Sequence, residues 1–261
     1  MGPASRSSKN GLAAIADPDD RVAMRGYGQY CPIALAAEIF AERWTPIIIR
    51  NLHLGCRRFG EIIDGAPGLP RSVLAHRLRT LEQHGVVVAS RRGRATAYEL
   101  TDCGRELAEV CLSLGAWGAR WREAQPEAQD PYLALWTVCR LLDPTTLPRP
   151  RIVVRFDLTD DRRPNRFWLV LDRTGNEVCL QPPGFAEDGV VTTDTGWLIR
   201  WYAGEASLGA AQRAVKMTVQ APRWLVHELS RWGRLNPYLN TITARAHRAE
   251  DHPTARRTTT E

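Results

Sequence analysis

The sequence predicts an α+β protein of two domains. A helix-rich N-terminal half ends in a β-hairpin, and a C-terminal half forms an antiparallel sheet covered by helices. Apolar residues recur at helical spacing as far as Trp121, whereas a spacing of two dominates beyond the proline-rich stretch "PTTLPRP". The length of 261 residues is comfortable for two domains, and a hydrophobic fraction of 44% allows each to build a core.

The composition excludes several classes of protein. No apolar run approaches the roughly 20 residues of a membrane span, and the N-terminus lacks the apolar stretch of a signal peptide, so we expect a cytoplasmic protein. The six cysteines form no CxxC pair, which argues against structural zinc and against a disulfide scaffold. We therefore expect no metal and no cofactor.

Shifts in composition divide the chain into five segments. Residues 1–30 are polar and predict a flexible tail, as do residues 244–261, which are rich in Arg and Thr. The stretch "REAQPEAQDP" (Arg122–Pro131) predicts a linker, which we place at residues 123–130. We accordingly expect one domain over 31–122 for DNA binding and dimerisation and a second over 131–243 for ligand binding.

The N-terminal half predicts four helices, a hairpin and a fifth helix. The segments are "CPIALAAEIFAERW", "TPIIIRNLHLG" with Thr45 as its N-cap, "RFGEIIDGAPG", "PRSVLAHRLRTLEQHG", two strands around "RRGRA", and "TDCGRELAEVCLSLGAWGARW". This order is that of a winged helix-turn-helix. Its short helix holds the next one at the angle that the major groove admits, and the hairpin lies along the neighbouring backbone.

Positive charge is concentrated in this helix and hairpin. Residues 57–94 contain eight arginines and three acids, a net charge of +5, whereas residues 123–245 contain 15 basic and 14 acidic residues, a net charge of +1. A local basic face is typical of a polyanion binder, although an arginine-rich helix face is often only a solvated surface. The residues off the Leu74–Leu78–Leu81 stripe are expected to face the groove, and the hairpin arginines to contact phosphates. The predicted DNA-binding residues are Arg58, Arg71, Ser72, His76, Arg77, Arg79, Arg91, Arg92 and Arg94.

Residues 30–121 resemble the HxlR-type winged-helix transcriptional regulators. The likeness is carried by "CPIALAAEIFAERWTPIIIRNL", "RRFGEI", "SVLAHRLRTLEQHGVV" and "YELTDCGREL". It implies a homodimer on a roughly palindromic operator, with the first and last helices forming the dimer contact. The chain departs from the family at Pro70, Ser72 and Ala75, where a small hydroxyl residue, a basic residue and Ser or Thr are usual. Its basic group lies at Arg71 instead.

Two further features of this half bear on regulation. The last helix carries an apolar stripe that ends in Trp117 and Trp121 and is longer than a monomer core requires, so part of it is expected to pack on a second subunit. Cys31 immediately precedes the first helix, where the positive helix end favours a thiolate. Some HxlR-type regulators sense oxidants or electrophiles through a cysteine at this position. The alternative, an inert half-buried residue, is favoured because no resolving cysteine lies nearby in sequence.

The C-terminal half predicts a helix, four strand-like runs, two helices, a last strand and a closing helix. The stretch "GVVTTDTGWLIRWYAGEASLGAAQRAVKMTVQAPRWLVHELSRWG" resembles the sterol-carrier-protein fold over about residues 130–238, with a departure at "QAPR". That resemblance implies an internal apolar cavity for a flat or lipid-like hydrophobic molecule.

Six of the nine tryptophans lie in this half, and aromatic walls are typical of small-molecule pockets. For any single tryptophan a place in the core is the more common outcome. We predict a pocket of a few hundred Å³. Its expected lining is Phe156, Trp168, Leu180, Trp197, Trp201, Met217 and Trp224.

The sequence offers no catalytic motif. GxSxG, HExxH, Walker-type and GxGxxG patterns are absent, and the six histidines are scattered. We therefore expect a regulator that partners with double-stranded DNA, a second copy of itself and a hydrophobic effector, with no membrane partner and no enzymatic activity. A purely structural C-terminal domain, and a lipid-handling protein or enzyme tethered to DNA, are the alternatives.

Overall fold

The computed structural model describes residues 26–93, 95–122, 129–160 and 163–242. Its N-terminal region contains α1 (Pro32–Phe40), α2 (Thr45–His53), α3 (Phe59–Asp64), α4 (Arg71–Gln83), β1 (Val87–Arg92), β2 (Ala95–Leu100) and α5 (Asp102–Trp121). Strands β1 and β2 pair antiparallel, with Val87 opposite Leu100. The expected order of four helices, hairpin and fifth helix is confirmed. Thr45 is the first residue of α2 and not its N-cap, a position that Trp44 occupies with φ 77°.

One hydrophobic core supports the helix-turn-helix and its wing. Ile48, Ile49, Leu52 and Ile62 are at most 1% exposed and pack with the apolar stripe of α4. Thr101 joins the wing to α5, because its hydroxyl accepts a hydrogen bond from the Gly104 amide at 3.1 Å and donates one to the Gly85 carbonyl at 2.6 Å. A Cβ at Gly104 would lie 2.1 Å from the Val86 carbonyl oxygen, so this contact requires glycine.

The C-terminal region is an α+β unit. It contains α6 (Pro131–Leu141), a short 3₁₀ helix, β3 (Arg151–Leu158), β4 (Arg166–Asp172), β5 (Gly175–Cys179), β6 (Gly189–Thr193), α7 (Thr195–Ala203), α8 (Leu208–Arg213), β7 (Met217–Gln220) and α9 (Arg223–Trp232). The sheet order is β5-β4-β3-β6-β7. All neighbouring strands are antiparallel except β3 and β6, which are parallel.

Helices pack on the face of this sheet that carries Phe156. Phe156 lies opposite Phe167 and Val191, and these side chains pack with Leu135 of α6, Trp201 of α7 and Trp232 of α9. The helices begin at capping side chains that the sequence supplies: Asp130 accepts from the Tyr132 amide, Asp194 from Trp197 and Ser207 from Ala210.

Trp136 connects the two regions. It belongs to α6, yet its ring is 3% exposed and packs in the core of the N-terminal region. A Cβ at Gly65 would lie 2.3 Å from this ring, which shows how closely α6 approaches the loop between α3 and α4. None of the helices in the described ranges combines the length and apolarity of a membrane span.

Candidate nucleic-acid interface and ligand cavity

Helix α4 presents a polar face directly opposite its buried stripe. Leu74, Leu78 and Leu81 are at most 2% exposed and hold the helix on the core. Ser72, His76 and Arg79 follow one another at spacings of four and three residues and are all exposed. They form a short stripe that stands away from the protein, which is the geometry of a helix that enters a groove.

Two predicted DNA-binding residues of α4 lie on its flanks and already have partners. The Arg71 guanidinium lies 5.2 Å from the centre of the Phe59 ring. Arg77 pairs with Glu42, and its side chain is only 18% exposed. Arg77 is therefore less available to a base than the sequence suggested, because Glu42, between α1 and α2, already takes up its charge. The outer stripe contains Arg79 in its place.

The wing adds basic residues next to α4. Arg91 is exposed near the end of β1, and Gly93 turns the hairpin with φ 66°. Arg58 is exposed just before α3, and its backbone bridges to Ala97 of β2. The side chain of Arg92 and the whole of Arg94 lie outside the described residues. In the described part of the chain, no carboxylate lies within 4 Å of the charged groups of Arg58, Arg79 or Arg91.

Helix α5 exposes a broad apolar face. Val110, Leu114, Trp117 and Trp121 are between 48% and 64% exposed, and Ile33 of α1 is 79% exposed. Contiguous apolar surface of this kind is uncommon on a monomer and is typical of an interaction surface. Cys31 is half-buried at the start of α1, and its side chain makes no capping hydrogen bond.

The structure does not bring the seven predicted pocket residues together around one cavity. Phe156, Trp201 and Met217 are at most 2% exposed and fill the core between sheet and helices. Trp168 lies opposite Arg155, and therefore on the other face of the sheet, where its indole donates to Glu187 at 2.8 Å. Alternation along a strand places neighbours on opposite faces, so Phe156 and Trp168 cannot line the same space.

Of the remaining three residues of that set, one is exposed and two are half-buried against the edge of this core. Leu180 is 47% exposed. Trp197 and Trp224 are half-buried, and each has an arginine guanidinium over its ring, from Arg200 at 4.3 Å and Arg149 at 4.4 Å.

A cavity of about 280 Å³ lies instead where the two regions meet. It is lined mainly by apolar side chains from α2, α5 and α6, and by Tyr202 of α7 and the segment after α9. Its full lining is Pro46, Ile47, Arg50, His53, Leu54, Ala108, Cys111, Leu112, Leu114, Gly115, Thr137, Leu141, Tyr202, Pro237 and Tyr238. Gly115 allows this arrangement, because a Cβ there would lie 2.1 Å from the Tyr238 hydroxyl.

Arg50 is the one arginine among these lining residues. Its Nη2 donates to the Gly65 carbonyl at 2.6 Å and to Asn51 Oδ1 at 2.8 Å, and its Nε donates to the same oxygen at 3.0 Å. All these acceptors are neutral. Within the described ranges no carboxylate lies within 4 Å of its guanidinium, and no Asp or Glu lines the cavity.

Arg50 and the ionisable side chains around it are partly withdrawn from water. Burial lowers the pKa of Arg50 and raises the pKa values of Tyr202 and Tyr238. Burial also raises the pKa of Cys111 to about 11. All four shifts disfavour the charged form of the group, so the half-buried cation at Arg50 has reduced solvation and no anionic partner among its described neighbours.

The N-terminal geometry defines a winged helix-turn-helix, the class of fold used by many DNA-binding regulators. The HxlR-like helix-turn-helix family matches residues 39–126. This match, together with the likeness to sll1512 and YvaP given below, shows that the chain belongs to the HxlR-like family through its N-terminal region.

Two similar proteins are named as HTH-type transcriptional regulators. The HTH-type transcriptional regulator sll1512 of Synechocystis sp. is 33% identical over 38% of this chain and 75% of its own length. YvaP of Bacillus subtilis is 35% identical over 36% of this chain and 90% of its own. Among solved structures, diamide-treated YodB from B. subtilis is 32% identical over 36% of this chain and 97% of its own, with a TM-score of 0.31.

Sequence reasoning missed two groups of residues. Glu42, which neutralises Arg77, lies 35 residues away, and no local pattern connects the two. Arg50 lies inside the apolar run "TPIIIRNLHL". A single arginine in a mostly apolar helix indicates that its charge faces a partner or a binding site. The two tyrosines of the cavity gave no such signal, because they meet Arg50 only through the packing of the two regions.

Proposed function

We propose that this protein is a sequence-specific DNA-binding transcriptional regulator that acts as a homodimer on a palindromic operator and responds to a small apolar molecule. The observation that carries the proposal is the outer stripe of α4, Ser72, His76 and Arg79, flanked by exposed arginines that have no carboxylate nearby in the described part of the chain. Phosphate contacts by Arg58 and Arg91 would position the helix, and the α4 stripe would contact base edges. The names of the relatives support the same role.

The exposed face of α5 and the exposed Ile33 of α1 support a two-fold dimer through these helices. Burying Trp117 and Trp121 would remove large aromatic surfaces from water. A two-fold axis between two copies of α4 would set half-sites about 10 bp, or a multiple of that, apart.

For the C-terminal region we propose a sterol-carrier-like fold. Support comes from the order that the resemblance implies: a strand ending in Thr193 and Asp194 leads into α7, Gly204 ends that helix with φ 75°, and Ser207 caps α8 before β7 and α9. Phe156 and Met217 pack in the core behind the sheet, so we propose that the effector binds at the cavity between the two regions.

A purely structural C-terminal region is the second candidate. It is favoured by Trp136, which lies in the N-terminal core and would brace the helix-turn-helix whether or not a ligand binds. Deciding between the two requires a measured ligand effect on DNA affinity.

The test of DNA recognition is selection from a random duplex library with the full-length protein, followed by binding titrations at several salt concentrations. The expected result is an enriched inverted repeat, bound with an affinity that falls steeply with salt because counterions are released from the phosphates. No enrichment, together with equal affinity for the selected and scrambled duplexes, would contradict the proposal.

A further inference from the structure

We propose that the cavity between α2, α5, α6 and α7 is a binding site for a small monocarboxylate with a compact apolar body. Its carboxylate would pair with Arg50, and its body would lie against the apolar side chains of α5 and α6. The site deepens the proposed function, and its regulatory part rests on that function.

The first argument is the charge at Arg50. Arg50 is half-buried, and a cation that is partly withdrawn from water is costly unless it is paired. Its acceptors are the amide oxygen of Asn51 and a backbone carbonyl. No acid is among the described residues that line the cavity, and the ionisable side chains that affect Arg50 are tyrosines and cysteines, which are neutral at pH 7. An incoming carboxylate would supply the missing negative charge, and arginine can bind a carboxylate through two parallel hydrogen bonds.

The second argument is the shape and lining of the cavity. A volume of about 280 Å³ lies near the lower limit of small-molecule sites, so it suits a compact molecule and not a sterol or a long acyl chain. Leu54, Leu112 and Leu141 supply apolar walls. The hydroxyl groups of Tyr202 and Tyr238 add donors that can orient a carboxylate.

The third argument is position. The cavity is bounded by α2 and α5 of the winged helix and by α6 and α7 of the C-terminal region. Helix α5 also carries the exposed apolar face that we propose for dimerisation. A ligand that binds more tightly to one arrangement of these helices would shift the spacing of the two α4 helices and so change operator affinity.

The test of binding uses the full-length protein without DNA and three acids: benzoate, phenylacetate and hexanoate. Each is paired with its neutral amide, which has nearly the same shape. Calorimetry and thermal denaturation should show that at least one acid binds. Its amide should bind at least about tenfold more weakly, because the ionic hydrogen bonds are lost. If no acid binds, or if an acid and its amide bind equally, the proposal is wrong.

Variants locate the site. Arg50→Met should abolish the preference for acid over amide, Arg50→Lys should retain part of it, and Arg213→Met, which removes an exposed arginine outside the cavity, should leave it unchanged. If Arg50→Met does not fold, Leu141→Trp serves instead: it fills the cavity while Arg50 remains, and it should abolish binding of the acid. Unchanged binding in Leu141→Trp, or in a folded Arg50→Met, would overturn the assignment.

The regulatory part is measured separately as the affinity for the selected duplex with and without the acid that binds. We expect a change in affinity of about fivefold or more, and none in Leu141→Trp. Failure of the apoprotein to bind any duplex selectively would contradict the proposed function while leaving the carboxylate site intact. An acid that binds without changing DNA affinity would overturn only its role as an effector.

Discussion

Two sets of arginines, one on the C-terminal sheet and one around α4 and the wing, differ in their partners. On the sheet, Arg151 pairs with Asp172, Arg166 with Asp157, and Arg155 with both Asp157 and Glu187. Around α4 and the wing, Arg58, Arg79 and Arg91 have no carboxylate within 4 Å in the described residues. Arginine content alone therefore does not identify a polyanion-binding surface; what distinguishes these two sets of arginines is whether acids of the same chain already neutralise the guanidinium groups.

The regions also differ in how they are stabilised. The C-terminal core is closed by its own sheet and helices, whereas the N-terminal core receives Trp136 from α6. The winged helix thus depends on the C-terminal region for part of its buried surface. This dependence gives a direct physical route by which events near α6 can affect the DNA-binding helices.

The largest expected effect comes from removing that shared side chain. Trp136→Ala should reduce the free energy of unfolding by about 3–5 kcal/mol, because it leaves a cavity in the N-terminal core. Thermal denaturation should then show the N-terminal region melting before the C-terminal region. Trp136→Phe is the matched control: it keeps an aromatic ring and removes an N–H that has no hydrogen-bond partner, so it should cost much less. Equal, small losses in both variants would show that the two regions are independent.

The second prediction concerns the exposed apolar face of α5. Trp117→Glu should raise the dissociation constant of the proposed dimer about a hundredfold or more, since a charge in a desolvated interface costs several kcal/mol. Sedimentation at several protein concentrations measures it. Val215→Glu changes a residue that is 81% exposed in the C-terminal region and should leave the oligomeric state unchanged. If Trp117→Glu has no effect, another surface forms the dimer, or the protein is a monomer.

The third prediction tests the contrast between free and paired arginines. Arg79→Ala should weaken binding to the selected duplex by about 1–3 kcal/mol if this residue contacts a base edge. Arg166→Ala removes an arginine that pairs with Asp157 on the sheet and should leave DNA affinity unchanged. Fluorescence anisotropy with a labelled duplex measures both. Equal effects of the two variants would mean that the pairing of arginines does not distinguish the regions.

The sequence predicted the helices and strands well because their signals are local. The Leu74–Leu78–Leu81 stripe indicated which face of α4 is buried, and the glycine in "RRGRA" indicated where the hairpin turns. The position of the cavity was not predictable in this way. It depends on how α2 and α5 pack against α6 and α7, and those contacts join residues that are far apart in sequence.

The error in the predicted pocket has a specific physical cause. Tryptophan content indicated an aromatic-rich region but not which side of the sheet each ring occupies. Phe156 and Trp168 differ by one step of strand register, and that step separates the helix-covered core from the ion-pair network around Glu187. Register between strands cannot be derived from composition, so the set combined residues from two faces.

The smallest expected effect is a loss of stability at alkaline pH that originates in the N-terminal core. Burial raises the pKa of the Cys56 thiol from its ordinary value of 9.0 to about 11. Above pH 9 the unfolded chain ionises at this thiol while the folded protein does not, so the unfolded state is favoured as pH rises. The free energy of unfolding should fall by at most about 1.4 kcal/mol per pH unit from this group.

The window of pH 9–10 is the most informative, because tyrosines ionise in the unfolded chain above it. Urea denaturation across this window should show a shallower pH dependence for Cys56→Ala than for the unmodified protein. Cys103→Ala, at an exposed position, should leave the dependence as it is. An identical slope in all three proteins would show that Cys56 does not titrate differently in the folded and unfolded states.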